Sequence, residues 1–286
     1  MLRAAGYESY WAGGCVRDRL LGRIPHDYDV ATAARPEQIQ QVFSRRKTLA
    51  IGAAFGVITV LGPRDAGQIE VATFRQDLGY SDGRRPDAVR YSSAREDAAR
   101  RDFTINGMFY DPVAEETIDY VGGRDDLALG IVRAIGDPVA RFTEDKLRML
   151  RAVRFTATFG FTLDEATADA VCQLRQQLNQ VSTERIAQEL KRMLSHASRE
   201  HSFRLLQQTG LLPEVLPELR HVNSHSTDEA ELTFIRLSLL HLKSEQFEPA
   251  LALILESLRH PGAGRKSTAP IESVCRRLKL SNEETT

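Results

Sequence analysis

The stretch His26-Asp27-Tyr28-Asp29-Val30 carries two carboxylates with one residue between them. On a strand, such a pair projects from one face with Cα atoms about 7 Å apart. Acids at that spacing can share hard divalent cations, which take oxygen ligands. Just upstream lies Gly13-Gly14-Cys15-Val16-Arg17-Asp18. A glycine pair ahead of a helix lets amide N–H groups face an anion, and Arg17 would add a charge-assisted bond to a phosphate. Together these residues point to metal-assisted nucleotidyl transfer. Two Mg²⁺ ions about 4 Å apart would serve it, one at an attacking 3′-hydroxyl and one at the triphosphate and its pyrophosphate leaving group. Taken singly, Asp-x-Asp is more often a solvated edge strand and Gly-Gly an ordinary turn; their closeness in the chain favours chemistry. Asp18 could equally be a helix-start residue favoured by the dipole. Glu70, in Ile69-Glu70-Val71, is a candidate third acid or else an outward polar residue of a hairpin.

Further clusters extend the candidate set. In Arg100-Arg101-Asp102-Phe103-Thr104-Ile105-Asn106, Arg101 could clamp a triphosphate, and Asp102 could orient an arginine or bind a ribose hydroxyl. The alternative is a helix-start charge cluster with Asn106 in a turn. Asp145, Arg148, Arg151 and Arg154 recur every three residues and would form a drifting stripe on one helix. That stripe could be a surface salt-bridge ladder. It could also read a base edge: a carboxylate accepts from the exocyclic amine of cytosine or adenine, and a guanidinium donates to a ring nitrogen or carbonyl. GTP and UTP present the opposed pattern and would leave charges mispaired. Asp145 with Arg148 would then select CTP and ATP, leaving Arg151 and Arg154 for phosphates or stacking. The seven histidines show no metal-ligand spacing.

The elements that must hold these residues follow from the pattern. Tyr10-Trp11-Ala12 reads as a strand ending in the glycine turn, and Val16 to Leu21 as a helix closed by Gly22. Tyr28-Asp29-Val30 reads as a second strand, and Pro36 opens an amphipathic helix with Ile39, Val42 and Phe43. Val57–Leu61 and Ile69–Phe74 are β-branched runs about a Gly-Pro turn, a hairpin candidate. From Gln76 to about Ala94 the chain is polar and reads as a loop. After Asp137-Pro138 helical patterns take over: Leu147, Leu150 and Val153 share a face, and Ser182 or Thr183 caps the helix of Ile186, Leu190 and Met193. Loops are expected over 222–227 and 260–269. Arg265-Lys266 and Arg276-Arg277 could touch RNA, though charged helix faces are usually just solvated. The fold class is therefore an α/β head with a mixed sheet followed by an all-α extension.

At 286 residues the chain can hold two or three packed units. A formal net charge of −1 means that an RNA contact must come from local basic patches. The three cysteines, Cys15, Cys172 and Cys275, are scattered, which argues against a disulfide framework and fits a reducing cytoplasm. No apolar run approaches bilayer-spanning length, and the N-terminus is too short and polar for a secretory signal.

The motifs Gly13-Gly14-x-Val16-Arg17-Asp18, Asp27-x-Asp29, Arg100-Arg101-Asp102-x-x-x-Asn106, Asp119-x-x-Gly122-Gly123-x-x-Asp126-Leu127, Glu144-Asp145-x-x-Arg148 and Glu184-Arg185-Ile186-x-x-Glu189-Leu190 occur in that order over roughly residues 9 to 220. In this the chain resembles the bacterial class II tRNA nucleotidyltransferases and poly(A) polymerases, most of all the CCA-adding kind. The resemblance implies a polymerase-β-type nucleotidyltransferase head over 1–137, a helical neck selecting the base over 138–196, and an incomplete helical body over 197–286. It implies Asp27 and Asp29 as catalytic Mg²⁺ ligands and Gly13, Gly14, Arg17, Arg101, Asp102 and Asn106 at the nucleotide. It implies Asp145 with Arg148 as the template for CTP and ATP, and Arg151 and Arg154 as nucleotide contacts. Asp119 to Leu127 matches a segment tied to the switch from C to A addition, and Glu184 to Leu190 a helix that braces the neck. Cys15, Gly107 and Lys146 depart from the residues frequent at those places without touching essential chemistry.

The expected activity is template-independent addition of CCA, or part of it, to tRNA 3′ ends from CTP and ATP with two Mg²⁺ ions. It would act in the cytoplasm, with no membrane and no obligate protein partner. The runner-up is a poly(A) polymerase, or a specialist adding only A or only CC. Lys47 to Val60 lacks the arginine-rich, His-Val-containing strand associated with the poly(A) branch. A non-enzymatic alternative is an idle RNA-binding module. Family members usually continue into a longer tail that grips the tRNA elbow, so a chain ending soon after Leu278-Lys279-Leu280 is expected to be truncated or to have a reduced RNA grip.

Overall fold

The Gly13 turn and the strands around it set the frame of the first part of the chain. In the computed structural model, which describes residues 1–63, 67–80, 86–219, 228–243, 245–256 and 269–280, the chain divides into two units, Met1–Glu144 and Asp145–Thr286. The first holds β1 (Ser9–Ala12), α1 (Gly14–Leu20), β2 (Asp29–Thr32), α2 (Pro36–Phe43), β3 (Thr48–Leu49), β4 (Val57–Leu61), β5 (Gln68–Thr73), β6 (Arg75–Leu78) and β7 (Ala88–Tyr91). It continues through α3 (Ala94–Ala99), β8 (Phe109–Asp111), β9 (Glu116–Ile118), α4 (Gly123–Leu129) and α5 (Pro138–Glu144). The main sheet runs β3-β4-β5-β2-β1-β8-β9. It is mixed: β2 pairs parallel with β5, while β1 pairs antiparallel with β2 and β8, as does β4 with β5.

Alternation along the strands gives the sheet two apolar faces. One packs Val30, Ile58, Val60 and Val71 against Ile39 of α2 and Leu2. The other packs Ala12, Ala31, Phe74 and Phe109 against Ala94 and Ala98 of α3. Asp29 is paired with Ala12, and the parallel register Val30↔Val71 sets Glu70 beside Asp29, so both acids belong to the second face. The hairpin expected from Val57–Leu61 and Ile69–Phe74 is β4 and β5.

Two expectations need correction here. Asp27 is not on the strand: β2 begins at Asp29. Its partner β1 ends at Ala12, opposite Asp29, and turns away at Gly13, so no ladder continues to Asp27. The stretch from Gln76 to about Ala94 is not loop throughout: among its described residues, 76–78 and Ala88–Tyr91 are strand. β6 and β7 form an antiparallel ribbon with Arg75 opposite Tyr91 and Leu78 opposite Ala88. Its side chains are held by polar contacts, Arg75 Nε to Asp77 Oδ1 at 3.0 Å and Tyr80 Oη to Asp77 Oδ2 at 2.7 Å, so the strands lack apolar alternation. The 81–85 stretch, the hairpin tip at 64–66, Arg265-Lys266, and the loops expected over 222–227 and 260–269 lie outside the described residues, save Ala269.

The second unit is helical. α6 (Leu147–Phe159) packs against α8 (Thr183–Leu194) and α9 (Arg199–Gln208), with α7 (Glu165–Leu174) between them in sequence. α10 (Leu212–Val215), α11 (Asp228–His241), α12 (Phe247–Glu256) and α13 (Ala269–Arg277) follow. The buried Met149, Leu150 and Val153 of α6 and Leu190, Met193 and Leu194 of α8 form its core. Ser182 is the N-cap of α8. The three cysteines are free. Among the described residues no helix is long and apolar enough to cross a membrane.

Candidate functional site

Gly13 leaves β1 with φ 72° and ψ −129°, a conformation that side chains avoid. Space reinforces the backbone requirement, because an added Cβ would sit 3.1 Å from Arg101 Nη1. The glycine therefore lets the Arg101 guanidinium lie directly against the turn. Arg101 also stands over the Phe109 ring at 5.1 Å and pairs with Asp97 at 2.9 Å.

Arg17, on α1, is buried. Its Nη1 donates to Asn106 Oδ1 at 2.6 Å, and its Nε and Nη2 donate to Asp18 Oδ1 at 2.9 and 2.8 Å. Asn106 Nδ2 donates to Asp102 Oδ1 at 3.1 Å, and the same oxygen accepts from the Phe103 amide at 2.8 Å. Asp18, Arg17, Asn106 and Asp102 thus form one chain of charge-assisted bonds that joins the first helix to the turn after Arg101. The segment from Asp119 braces that turn. Asp126 Oδ2 accepts from Thr104 Oγ1 at 2.7 Å and pairs with Arg133 at 3.1 Å, while Asp119 holds the amides of Val121 and Arg124.

The Asp29 carboxyl is pushed above its ordinary pKa. Partial burial is the main cause, the negative charge of Glu70 is next, Arg101 opposes them, and Asp27 adds to the rise. A surplus of carboxylate charge at the open end of β2 is what a divalent cation would relieve, and hard oxygen donors suit Mg²⁺, which usually binds one or two protein carboxylates and completes its shell with phosphate and water. Asp27 and Asp29 fit such an ion. No group of three or more His, Cys, Asp or Glu side chains that could hold a metal is found among the described residues, and Glu70 acts on Asp29 through its negative charge.

In the second unit, Asp145 precedes α6 instead of lying on it, so the expected four-residue stripe on one helix is corrected to three arginines on α6 with Asp145 ahead of them. Its Oδ1 accepts from the Leu147 amide at 3.1 Å, an end-of-helix contact that draws the carboxylate out of the helical repeat. Arg185 of α8 grips both oxygens, Nη1 to Oδ1 at 3.1 Å and Nη2 to Oδ2 at 2.8 Å. A carboxylate has about four acceptor positions, so Asp145 retains capacity for a further donor. Arg148 is buried near the start of α6. Arg151 and Arg154 stack over Phe155 at 5.1 and 4.2 Å. Arg154 is also tied to Glu189, 2% exposed, at 2.6 Å, and Arg192 shares that carboxylate at 2.9 Å.

Reading the sequence for chemistry missed Arg185, Glu189 and Asp97 as partners. Arg185 and Glu189 stand in a quoted motif, and their i,i+4 spacing would set them on one helix face. Asp97 stands three residues ahead of Arg100 and four ahead of Arg101, the spacing at which an acid meets an arginine on a helix, and that spacing was the available signal.

Residues 9–133 match the model of the poly A polymerase head domain, and residues 160–222 match that of the probable RNA and SrmB-binding site of polymerase A. The CCA-adding enzyme of Lactobacillus johnsonii is 40% identical over 256 residues, which is 86% of this chain and 63% of that enzyme. Poly(A) polymerase I of Haemophilus influenzae is 39% identical over 230 residues, 76% of this chain and 50% of that protein. A crystal structure of the Bacillus stearothermophilus CCA-adding enzyme in complex with CTP superposes with a TM-score of 0.80 at 33% identity, covering 99% of this chain and 65% of that one. The chain thus spans a little under two thirds of the length of these CCA-adding relatives.

Proposed function

From the premise that the chain belongs to the tRNA nucleotidyltransferase and poly(A) polymerase family, we propose that it is a cytoplasmic enzyme, with no obligate protein partner, that adds CCA or part of it to tRNA 3′ ends from CTP and ATP. The observation that carries the reading is the juxtaposition at the end of β2. Asp29 feels the charge of both Asp27 and Glu70, and Arg101, whose field also reaches it, lies against the Gly13 turn.

In this reading Asp27 and Asp29 hold Mg²⁺. The bound metal would lower the pKa of the attacking 3′-hydroxyl and offset charge on the departing pyrophosphate. Gly13 and Gly14 keep the turn free of side chains where a triphosphate would lie. Arg101 supplies positive charge to it, and Arg17 is held in line by Asp18 and Asn106. Asp102, fixed by the Phe103 amide and by Asn106, faces the nucleotide sugar. Asp145 and Arg148 select the base, with Arg185 holding the Asp145 carboxylate in one plane. Arg151 and Arg154 make further nucleotide contacts. The division into head (1–137), neck (138–196) and body (197–286) belongs to the same proposal.

The identity to CCA-adding enzymes, and the solved CTP complex among the structural relatives, support the tRNA reading. The Haemophilus influenzae relative supports a second one, poly(A) synthesis. An incorporation assay with each of the four nucleotides on tRNA lacking CCA separates them. Three ordered additions ending in A are expected. Long A tracts would favour the second reading, and UTP used as well as CTP would overturn the role given to Asp145 and Arg148.

A further inference from the structure

Asp97 lies on α3, is 1% exposed, and has no place in the chemistry assigned so far. Its two carboxylate oxygens are divided between two arginines. Oδ1 accepts from Arg100 Nε at 2.9 Å and from the Arg75 amide at 3.3 Å. Oδ2 accepts from Arg101 Nη2 at 2.9 Å and Nε at 3.3 Å. Arg101 is therefore gripped along its Nε–Nη2 edge, and its third nitrogen, Nη1, is the one that lies against Gly13. The Phe109 ring supports the guanidinium plane. Burial alone would raise the Asp97 pKa, but Arg101 and then Arg100 overturn that and hold it low, so the acid stays charged.

The same carboxylate ties this grip to the β6–β7 ribbon. Arg100 Nε donates to the Arg75 carbonyl at 3.1 Å, and Arg100 Nη1 reaches Asp77 Oδ2 at 3.4 Å. Arg75 Nε pairs with Asp77 at 3.0 Å. Three guanidiniums (Arg75, Arg100, Arg101) thus share two carboxylates (Asp77, Asp97). Arg75 and Arg100 are matched within the ribbon and its base, and the Nη1 edge of Arg101, the one Asp97 does not hold, faces the Gly13 turn.

Resting on the nucleotide reading above, we propose that Asp97 is a positioning residue for the triphosphate: it holds Arg101 by one edge so that the opposite edge faces the Gly13 turn. Asp97 does not touch the nucleotide. It acts through Arg101, so its effect requires Arg101 and falls on nucleotide affinity rather than on the chemical step.

The test measures the Kd of CTP with Mg²⁺ in the absence of RNA, together with KM and kcat for incorporation, on the full chain. Asp97→Asn is expected to weaken CTP binding about tenfold, comparable to loss of a charge-assisted contact, and to raise KM with little change in kcat. In an Arg101→Gln background the same substitution is expected to add nothing. Asp77→Asn, which removes the other acid of the cluster without touching Arg101, is expected to lower the melting temperature and leave the CTP Kd unchanged. Should Asp97→Asn fail to fold, Asp97→Glu keeps the charge but shifts the guanidinium edge, and it is expected to weaken CTP as well. CTP affinity equal to the parent's in the folded Asp97 variant, or an undiminished effect in the Arg101→Gln background, would overturn the proposal. If Arg101→Gln itself leaves CTP binding intact, the triphosphate reading of the site fails instead.

Discussion

Replacing Gly13 with alanine tests two structural requirements at once. The backbone there has φ 72° and ψ −129°, so alanine carries a strain cost of about 1–3 kcal/mol. At about 2–4 °C per kcal/mol, the melting temperature should fall by roughly 2–12 °C. The new Cβ would also stand 3.1 Å from Arg101 Nη1, so the guanidinium must yield by a few tenths of an ångström, away from where the triphosphate is proposed to lie. Losing a well-aligned charge-assisted bond should weaken CTP binding about tenfold. Gly22→Ala separates the two effects. Gly22 has φ 69° but nothing within 4 Å of an added Cβ, so it should lose stability and keep CTP affinity. Thermal melts and equilibrium binding of Mg·CTP read both quantities. If Gly13→Ala bound CTP as tightly as the parent, or if Gly22→Ala weakened it equally, the reasoning about Arg101 and the turn would be refuted.

Further outcomes follow from the same geometry. The raised Asp29 pKa means that the native state holds its proton to a higher pH than the unfolded chain does, so this group's contribution to stability falls as pH rises through that window. In divalent-free buffer at pH above the window, Asp29→Asn should therefore melt above the parent, and in Mg²⁺ buffer it should lose incorporation; a lower melting temperature in the divalent-free buffer would contradict the charge surplus. Arg185→Ala removes the fork on Asp145 and should raise UTP incorporation relative to CTP about tenfold, measured by competition between the two nucleotides. Glu189→Gln leaves Arg154 without its buried counter-charge and should cost about 3 kcal/mol in denaturant unfolding; a change below about 0.5 kcal/mol would show the pair to be idle.

The strands that carry Asp29 and Glu70 were legible because β-branched runs and the Gly-Pro turn leave a strong local signature. The helical change after Asp137 was legible for the same reason, with Pro138 at the start of α5 and leucines at helical spacing on α6. The ribbon of Arg75–Leu78 and Ala88–Tyr91 was not, since ion pairs rather than a buried apolar face hold it, and alternation is the signal that identifies a strand. The position of Asp27 outside β2 depends on where its neighbour turns, a fact of pairing between segments and not of local sequence. For the candidate site, residue types and order pointed to Asp27, Asp29, Arg17 and Arg101. Some partners were hidden because they arrive from elsewhere in the chain: Asn106 reaches Arg17 across 89 residues of sequence, and Arg185 reaches Asp145 across 40, whereas Asp18 and Asp97 are local neighbours of Arg17 and Arg101.

The acids at the end of β2 are proposed to serve nucleotide transfer. CMP and AMP incorporation into tRNA lacking CCA, followed across a Mg²⁺ titration for the parent, Asp27→Ala and Asp29→Ala, measures this. The parent should be Mg²⁺-dependent, and each variant should lose at least about a thousandfold in rate while still folding. Undiminished incorporation by either variant would contradict the assignment of that carboxylate to the metal.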